Sequence, residues 1–229
     1  MLKLMKKDLL AARFLLGANL AALVLFSIQP HFSGGFILVF AVVLAISSLA
    51  AVYFYEDRNR TEVLYLSLPV KRKDIVVARH VIAAGFLAAF GLVMFGIIAP
   101  LESRLAAGPD PFPLRSIEAA ALYMVLGAIL ISLYLTCQYR FGFGRGSIAF
   151  VIVAVILFTA IVAAVVIRFP ADFDAAKNEA GVRTIFGSLQ ALRTSAGTPL
   201  FLLAAAVLVL VPFLVSLPLS RRFYARREF

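Results

Sequence analysis

Charge is scarce in this chain: only 15% of its 229 residues are Asp, Glu, Lys or Arg, while 63% are hydrophobic. A water-soluble domain of this length cannot hide so much apolar surface in a core, so the solvent implied by the sequence is lipid. Cysteine is nearly absent. The single Cys137 lies inside an apolar run, which excludes an intramolecular disulfide framework and leaves it as a small packing residue. Two histidines, His31 and His80, do not make a metal site with one cysteine, because zinc-type sites need three or four converging ligands. Neither H-E-x-x-H nor G-x-S-x-G occurs, which speaks against an intramembrane hydrolase. The phosphate-cradling G-x-x-x-x-G-K-[ST] loop is also missing, so no nucleotide site of the chain's own is expected and any ATP is bound by a partner. Ionisable groups are almost lacking within the apolar runs. Arg79 is expected to snorkel to the headgroups, His80 to pack at headgroup level, and His31 to sit in a solvated turn. With no carboxylate expected inside a span, a proton-driven secondary carrier is weakened.

What is present is a series of apolar runs of about 20 residues, long enough as helices to cross a hydrocarbon core of about 30 Å. Six spans are expected: Phe14 to Gln29, Phe36 to Tyr55, Ile75 to Ala99, Ala119 to Gln138, Ile148 to Ile167 and Leu200 to Leu219. Each is helical by necessity, since lipid offers backbone N–H and C=O groups no partner and the runs lack the alternation of barrel strands. The chain thus reads as one all-α, polytopic transmembrane domain over 1–229. Basic residues fix its orientation, because short basic loops stay on the cytoplasmic side. With both termini inside, 16 of the 22 basic residues fall on the inner face, in the segments around Lys3 to Arg13, Arg58 to Arg79, Arg140 to Arg145 and Arg221 to Arg227. The acids divide equally between the faces. These charges flank spans instead of lining a soluble surface, so anionic lipid explains them better than nucleic acid does. Lys3, Lys6, Lys7 and Arg13 share residues 1–13 with Leu2, Met5, Leu9 and Ala12, the pattern of an amphipathic helix in the inner headgroup layer. A basic extension of the first span is the alternative, and a cleaved signal peptide is disfavoured.

The most informative stretch, 53–80, reads Y-F-Y-E-D-R-N-R-T-E-V-L-Y-L-S-L-P-V-K-R-K-D-I-V-V-A-R-H. Asn59 and Glu62 have capping-box spacing, a short helix with Val63, Leu64, Leu66 and Leu68 should follow, and Pro69 should stop it. Lys71 to Asp74 then open the next long helix, the acid suiting its first turn. Four apolar residues beside charges at a membrane surface call for a cover, by headgroups or by a cytoplasmic protein. In Glu56 and Asp57, Arg58 to Thr61, Ser67 to Val70, Arg72, Ile75, Val76 and Arg79, the sequence resembles the permease subunits of ABC type-2 transporters, particularly small bacterial ones. The match is specific over roughly 55–79 and compatible with the rest, the basic start resembling that family's N-terminal elbow helix.

This resemblance implies a multi-pass protein of the bacterial inner membrane in which two permease subunits, identical or different, pair above two cytosolic ATPase subunits. ATP and Mg would then belong to the ATPases, with no cofactor in this chain. The implied coupling loop is 56–74, with docking contacts at Glu56, Asp57, Thr61, Val63, Leu64, Leu66, Leu68 and Pro69, and with Pro69 and Arg72 fixing the exit. The acidic pair also reads simply as a cap on the aqueous end of its span, and Arg72 as a topology charge. Between spans five and six, the outer segment 168–197 carries Val182, Ile185, Phe186, Leu189 and Leu192 at helical spacing, an amphipathic helix. Related permeases use helices here at the outer mouth, which makes Val182, Ile185, Phe186 and Leu189 the expected outer gate, against a helix resting on lipid. Span four is the most polar, with Tyr123, Ser132, Tyr134, Thr136, Cys137 and Gln138, and such groups more often join helices than line a path. An apolar path favours an amphipathic, peptide or lipid-like cargo. The leading expectation is an exporter permease; a stand-alone secondary carrier and a non-transporting membrane scaffold are the alternatives.

Overall fold

A computed structural model of the chain describes residues 2–27, 34–58, 72–100, 116–168 and 178–226. Among them every residue is helical except Ser116, Gly142 and Gly197. In chain order the helices are α1 (Leu2–Ser27), α2 (Gly34–Arg58), α3 (Arg72–Val93, continued by a π turn Met94–Ile98), α4 (Ile117–Phe141), α5 (Phe143–Arg168), α6 (Asn178–Ala196) and α7 (Thr198–Arg226). Among the described residues four stretches are long and apolar enough to cross a membrane: Phe36–Arg58, Lys73–Ile98, Ile117–Phe141 and Thr198–Ala225. Two further apolar stretches are shorter among the residues whose side chains are described, Ala12–Ser27 and Phe143–Ile156, the latter lying in the 26-residue α5. The N-terminal residues expected to form a separate interfacial helix are instead the first turns of α1, which runs unbroken into the apolar stretch. No Gly or Pro interrupts residues 2–16, so nothing in the local sequence stops the helix before it enters the bundle.

Punctuation at the ends is local. Ser116 caps α4 by accepting from the Ala119 N–H at 3.1 Å. Gly142 closes it at φ 80° and ψ 178°, a conformation open essentially to glycine, and donates to Gln138 O at 2.9 Å. Gly146 then donates back to Gly142 O at 2.7 Å, so α5 starts at once in a new direction. Gln138 Nε2 donates across this corner to Ser147 Oγ at 2.9 Å. Gly197, at φ 83°, makes the corresponding corner between α6 and α7 and donates to Arg193 O.

The core lies where α1, α2, α3 and α4 meet, with α7 packed along α4 most extensively of all pairs. Small residues set the approach of α3 to α4: a Cβ on Gly127 would run into Leu87 Cδ1, and one on Gly91 would stand 3.0 Å from Tyr123 Cε1. Tyr123 donates its hydroxyl to Leu87 O at 2.8 Å across the same contact. Between α1 and α2 the fastening is polar. The Asn19 amide reaches Ser47 Oγ at 2.6 Å, Ser48 Oγ at 2.9 Å and Leu44 O at 3.3 Å. Large apolar side chains face outward along α5 (Ile148, Val151, Ile152, Val155, Ile156) and α7 (Leu203, Leu208, Leu214), as lipid-facing surfaces do.

Candidate functional site

At the end of the bundle where α2 and α3 are joined, three charged side chains from three helices are buried together. Asp8 of α1, Glu56 of α2 and Arg79 of α3 are 2%, 5% and 4% exposed. Arg79 Nη2 donates to Glu56 Oε2, and Arg79 Nε lies 3.9 Å from Asp8 Oδ2. The guanidinium also sits over the Tyr53 ring, 4.3 Å from its centroid, so one cation is held by two carboxylates and an aromatic face. A charge buried in this way costs several kcal/mol unless paired, which is why all three side chains turn toward one another.

Aromatic rings extend the cluster to α4 and α7. Tyr53 meets Tyr134 and Tyr139 edge-on at 6.0 and 6.4 Å, and Tyr139 meets Tyr224 at 5.4 Å. His80 stacks on Tyr139 at 6.4 Å. Its Nδ1 donates to Val76 O at 2.8 Å, and its Nε2 lies 3.2 Å from Ser216 Oγ of α7. Ser216 Oγ lies in addition 3.1 Å from Ser132 O and 3.0 Å from Thr136 Oγ1, both on α4. Five helices thus converge here through polar or aromatic groups.

The cluster revises several expectations. Arg79 turns inward to Glu56 instead of snorkelling, and both it and His80 are buried, because α1, α2 and α7 cover this face of α3. Buried carboxylates do occur, at the ends of the apolar runs: Glu56 in the last turn of α2 and Glu118 in the first turn of α4, with Asp8 joining Glu56 from α1. Each faces an arginine, so charge counting along the chain cannot tell it from a surface acid. Glu56, expected to meet a partner at the loop, is turned inward to Arg79, whereas Asp57 next to it is exposed. Arg72 begins α3, and Asp74 lies in its first turn as expected. Thr61, Val63, Leu64, Leu66, Leu68 and Pro69 lie outside the described residues.

At the opposite end, the expected amphipathic segment is helical as α6. Leu189 is partly buried there, while the side chains of Val182, Ile185 and Phe186 lie outside the described residues. Glu118, in the first turn of α4 and 1% exposed, pairs with Arg193 Nε of α6 at 3.2 Å. Sequence reasoning missed Asp8, Asn19 and Glu118. Only Asn19 carried a signal, as a lone amide in an apolar run. Among the described residues no three His, Cys, Asp or Glu side chains gather to hold a metal ion.

The family described as ABC-2 family transporter protein matches this chain over residues 2–225, nearly its whole length, and the chain belongs to that family. Neither a curated protein nor a solved structure matches it.

Proposed function

From its membership of the ABC-2 family, a family of multi-pass membrane transport subunits that generally work with an ATPase, we propose that this chain is the permease of an ATP-driven exporter. In this reading it spans the inner membrane six times with both termini in the cytoplasm, pairs with a second permease, and carries an amphipathic, peptide or lipid-like substrate. Two cytosolic subunits bind ATP with Mg. Residues 56–74 form the coupling loop, with Asp57, Thr61, Val63, Leu64, Leu66, Leu68, Pro69 and Arg72 as docking contacts. Val182, Ile185, Phe186 and Leu189 serve the outer gate.

One observation carries the reading: the Glu56–Arg79 pair joins the last turns of α2 to the second turn of α3, closing the helices on either side of 59–71. A loop meant to pass force into the membrane needs such a base, because a partner can bias the helices only through contacts that move as a unit with them. Glu56 then acts as the internal anchor of the loop and Asp57 as its exposed acid. Asp8 extends the anchor to α1.

The test is copurification from gently solubilised membranes. A cytosolic ATPase should accompany the parent chain, and Leu64→Asp with Leu66→Asp should release it while the permease still elutes as a single species. Absence of any ATPase from the parent, together with unchanged transport by the double variant, would remove the proposal. The buried carboxylates Asp8, Glu56 and Glu118 give the secondary-carrier reading a footing that the sequence did not. Each faces an arginine, a pairing that suits a structural role better than proton uptake. Uptake by proteoliposomes driven by an ion gradient, without nucleotide, would decide for the carrier.

A further inference from the structure

The contact between α4 and α6 includes an ion pair. α6 packs chiefly on α7, which follows it directly, and touches α4 only lightly. Its described side chains from Gly187 to Ala196 are exposed except Leu189 and Arg193, which are half-buried. Arg193 reaches into the body of the protein, and what it reaches is a carboxylate with 1% exposure. Among the described residues neither Glu118 oxygen has a hydrogen-bond partner, and Arg193 and the N-terminus of α4 oppose its charge. Four residues beyond Arg193 the chain turns at Gly197, whose φ of 83° leaves a joint without a Cβ between α6 and α7.

We infer that Glu118 and Arg193 are positioning residues that latch α6 to the first turn of α4, and that α6 swings about Gly197 when the pair parts. The covered state keeps Glu118 from water; the parted state hydrates it and frees α6. Among the described side chains of α6, only Leu189 is partly buried beside Arg193, so the ion pair is the contact that positions 187–196, whereas a stretch embedded by side-chain packing would not respond to losing one charge. That the swing belongs to a transport cycle rests on the permease reading above; the latch itself rests on the geometry.

Hydrogen–deuterium exchange on the full chain in lipid nanodiscs tests both levels. Glu118→Gln and Arg193→Gln should each speed amide exchange across 187–196 by about tenfold, and the double variant should exchange no faster than either single one. Exchange in α2 and α3 should stay as in the parent, which also certifies folding; if Glu118→Gln does not fold, Arg193→Gln at the more exposed partner decides. Unchanged α6 exchange in the single variants, or multiplying effects in the double variant, would overturn the latch. In the complex with its ATPase, the parent's α6 should exchange faster in the vanadate-trapped state than without nucleotide, and Glu118→Gln should already exchange fast without nucleotide. Equal α6 exchange in both states of a hydrolysing complex would overturn the swing. A chain that captures no ATPase but shows the single-variant effects would instead remove the permease reading and leave the latch standing.

Discussion

Replacing Arg79 by Gln removes a cation that faces both Asp8 and Glu56. Arg79 lies seven residues beyond Arg72, so at 1.5 Å per residue it sits about 10 Å along α3 from its start. At that depth, with the carboxylates 2% and 5% exposed, water cannot replace the lost partner. Breaking a buried pair from one side typically costs about 3–5 kcal/mol. For a domain of this size about 1 kcal/mol corresponds to about 2–4 °C, so the melting temperature in detergent should fall by on the order of 10 °C. Fluorescence-detected size exclusion after a heating series measures it. The charge origin of the loss shows in a cycle with Glu56→Gln: once Arg79 is gone, neutralising Glu56 should restore part of the stability, because one fewer charge stays buried. Arg79→Lys should fall between parent and Arg79→Gln, since an ammonium cannot fork toward two carboxylates while lying flat on Tyr53. An Arg79→Gln chain that melts within about 2 °C of the parent, below the shift for 1 kcal/mol, would refute the view that this cluster fastens α1, α2 and α3. So would losses that simply add in the double variant.

Asn19→Leu removes the amide shared among Ser47, Ser48 and Leu44 O, and should cost about 1 kcal/mol, as polar contacts between membrane helices do, read in the same melting assay. A loss as large as that of Arg79→Gln would mean that Asn19 does more than join α1 to α2. Gly146→Ala places a Cβ 2.9 Å from Cys137 O and 3.0 Å from Gln138 Cα, backbone atoms that cannot step aside, so the variant should lose about 1–3 kcal/mol through a displaced α4–α5 corner. Gly127→Ala meets only the tip of Leu87, which can rotate away, and should be milder; the reverse order would contradict the packing described.

The helices were largely legible because lipid leaves so few alternatives. Apolar runs at Phe36 to Tyr55, Ala119 to Gln138 and Leu200 to Leu219 mark α2, α4 and α7, whose ends extend into polar turns that hydrophobicity alone does not register. The run at Leu200 passes through Pro212 and Pro218 without a break, since neighbouring helices can satisfy freed carbonyls. Depth was harder. Asp8, Glu56 and Glu118 look like interfacial acids when charges are counted by segment, and only the fold brings an arginine 23 residues away in sequence to Glu56, or one 75 residues away to Glu118. The motif that carries the family resemblance contains both Glu56 and Arg79, yet its linear order says nothing of their contact. The polar side chains of α4, by contrast, were correctly expected to join helices: Tyr123 reaches α3, Thr136 reaches α7, and Gln138 reaches α5.

Between the two ion pairs runs α4. Its Tyr139 stacks on His80 beside Arg79, and its Glu118 holds Arg193, 21 residues and therefore about 30 Å away. No proline interrupts it, α7 packs beside it, and Thr136 is tied to Ser216, so α4 is a poor place for bending. Its two ends differ: a buried charge cluster fastens α1, α2 and α3 at one, and a lightly packed helix stands on a glycine joint at the other. Any coupling between the ends must then displace α4 as a body instead of deforming it, and a rigid displacement changes contacts most where packing is thinnest. That place is the Glu118–Arg193 pair. A variant that stiffens Gly197 would therefore disturb the far end while leaving the Arg79 cluster, and its melting behaviour, as they are.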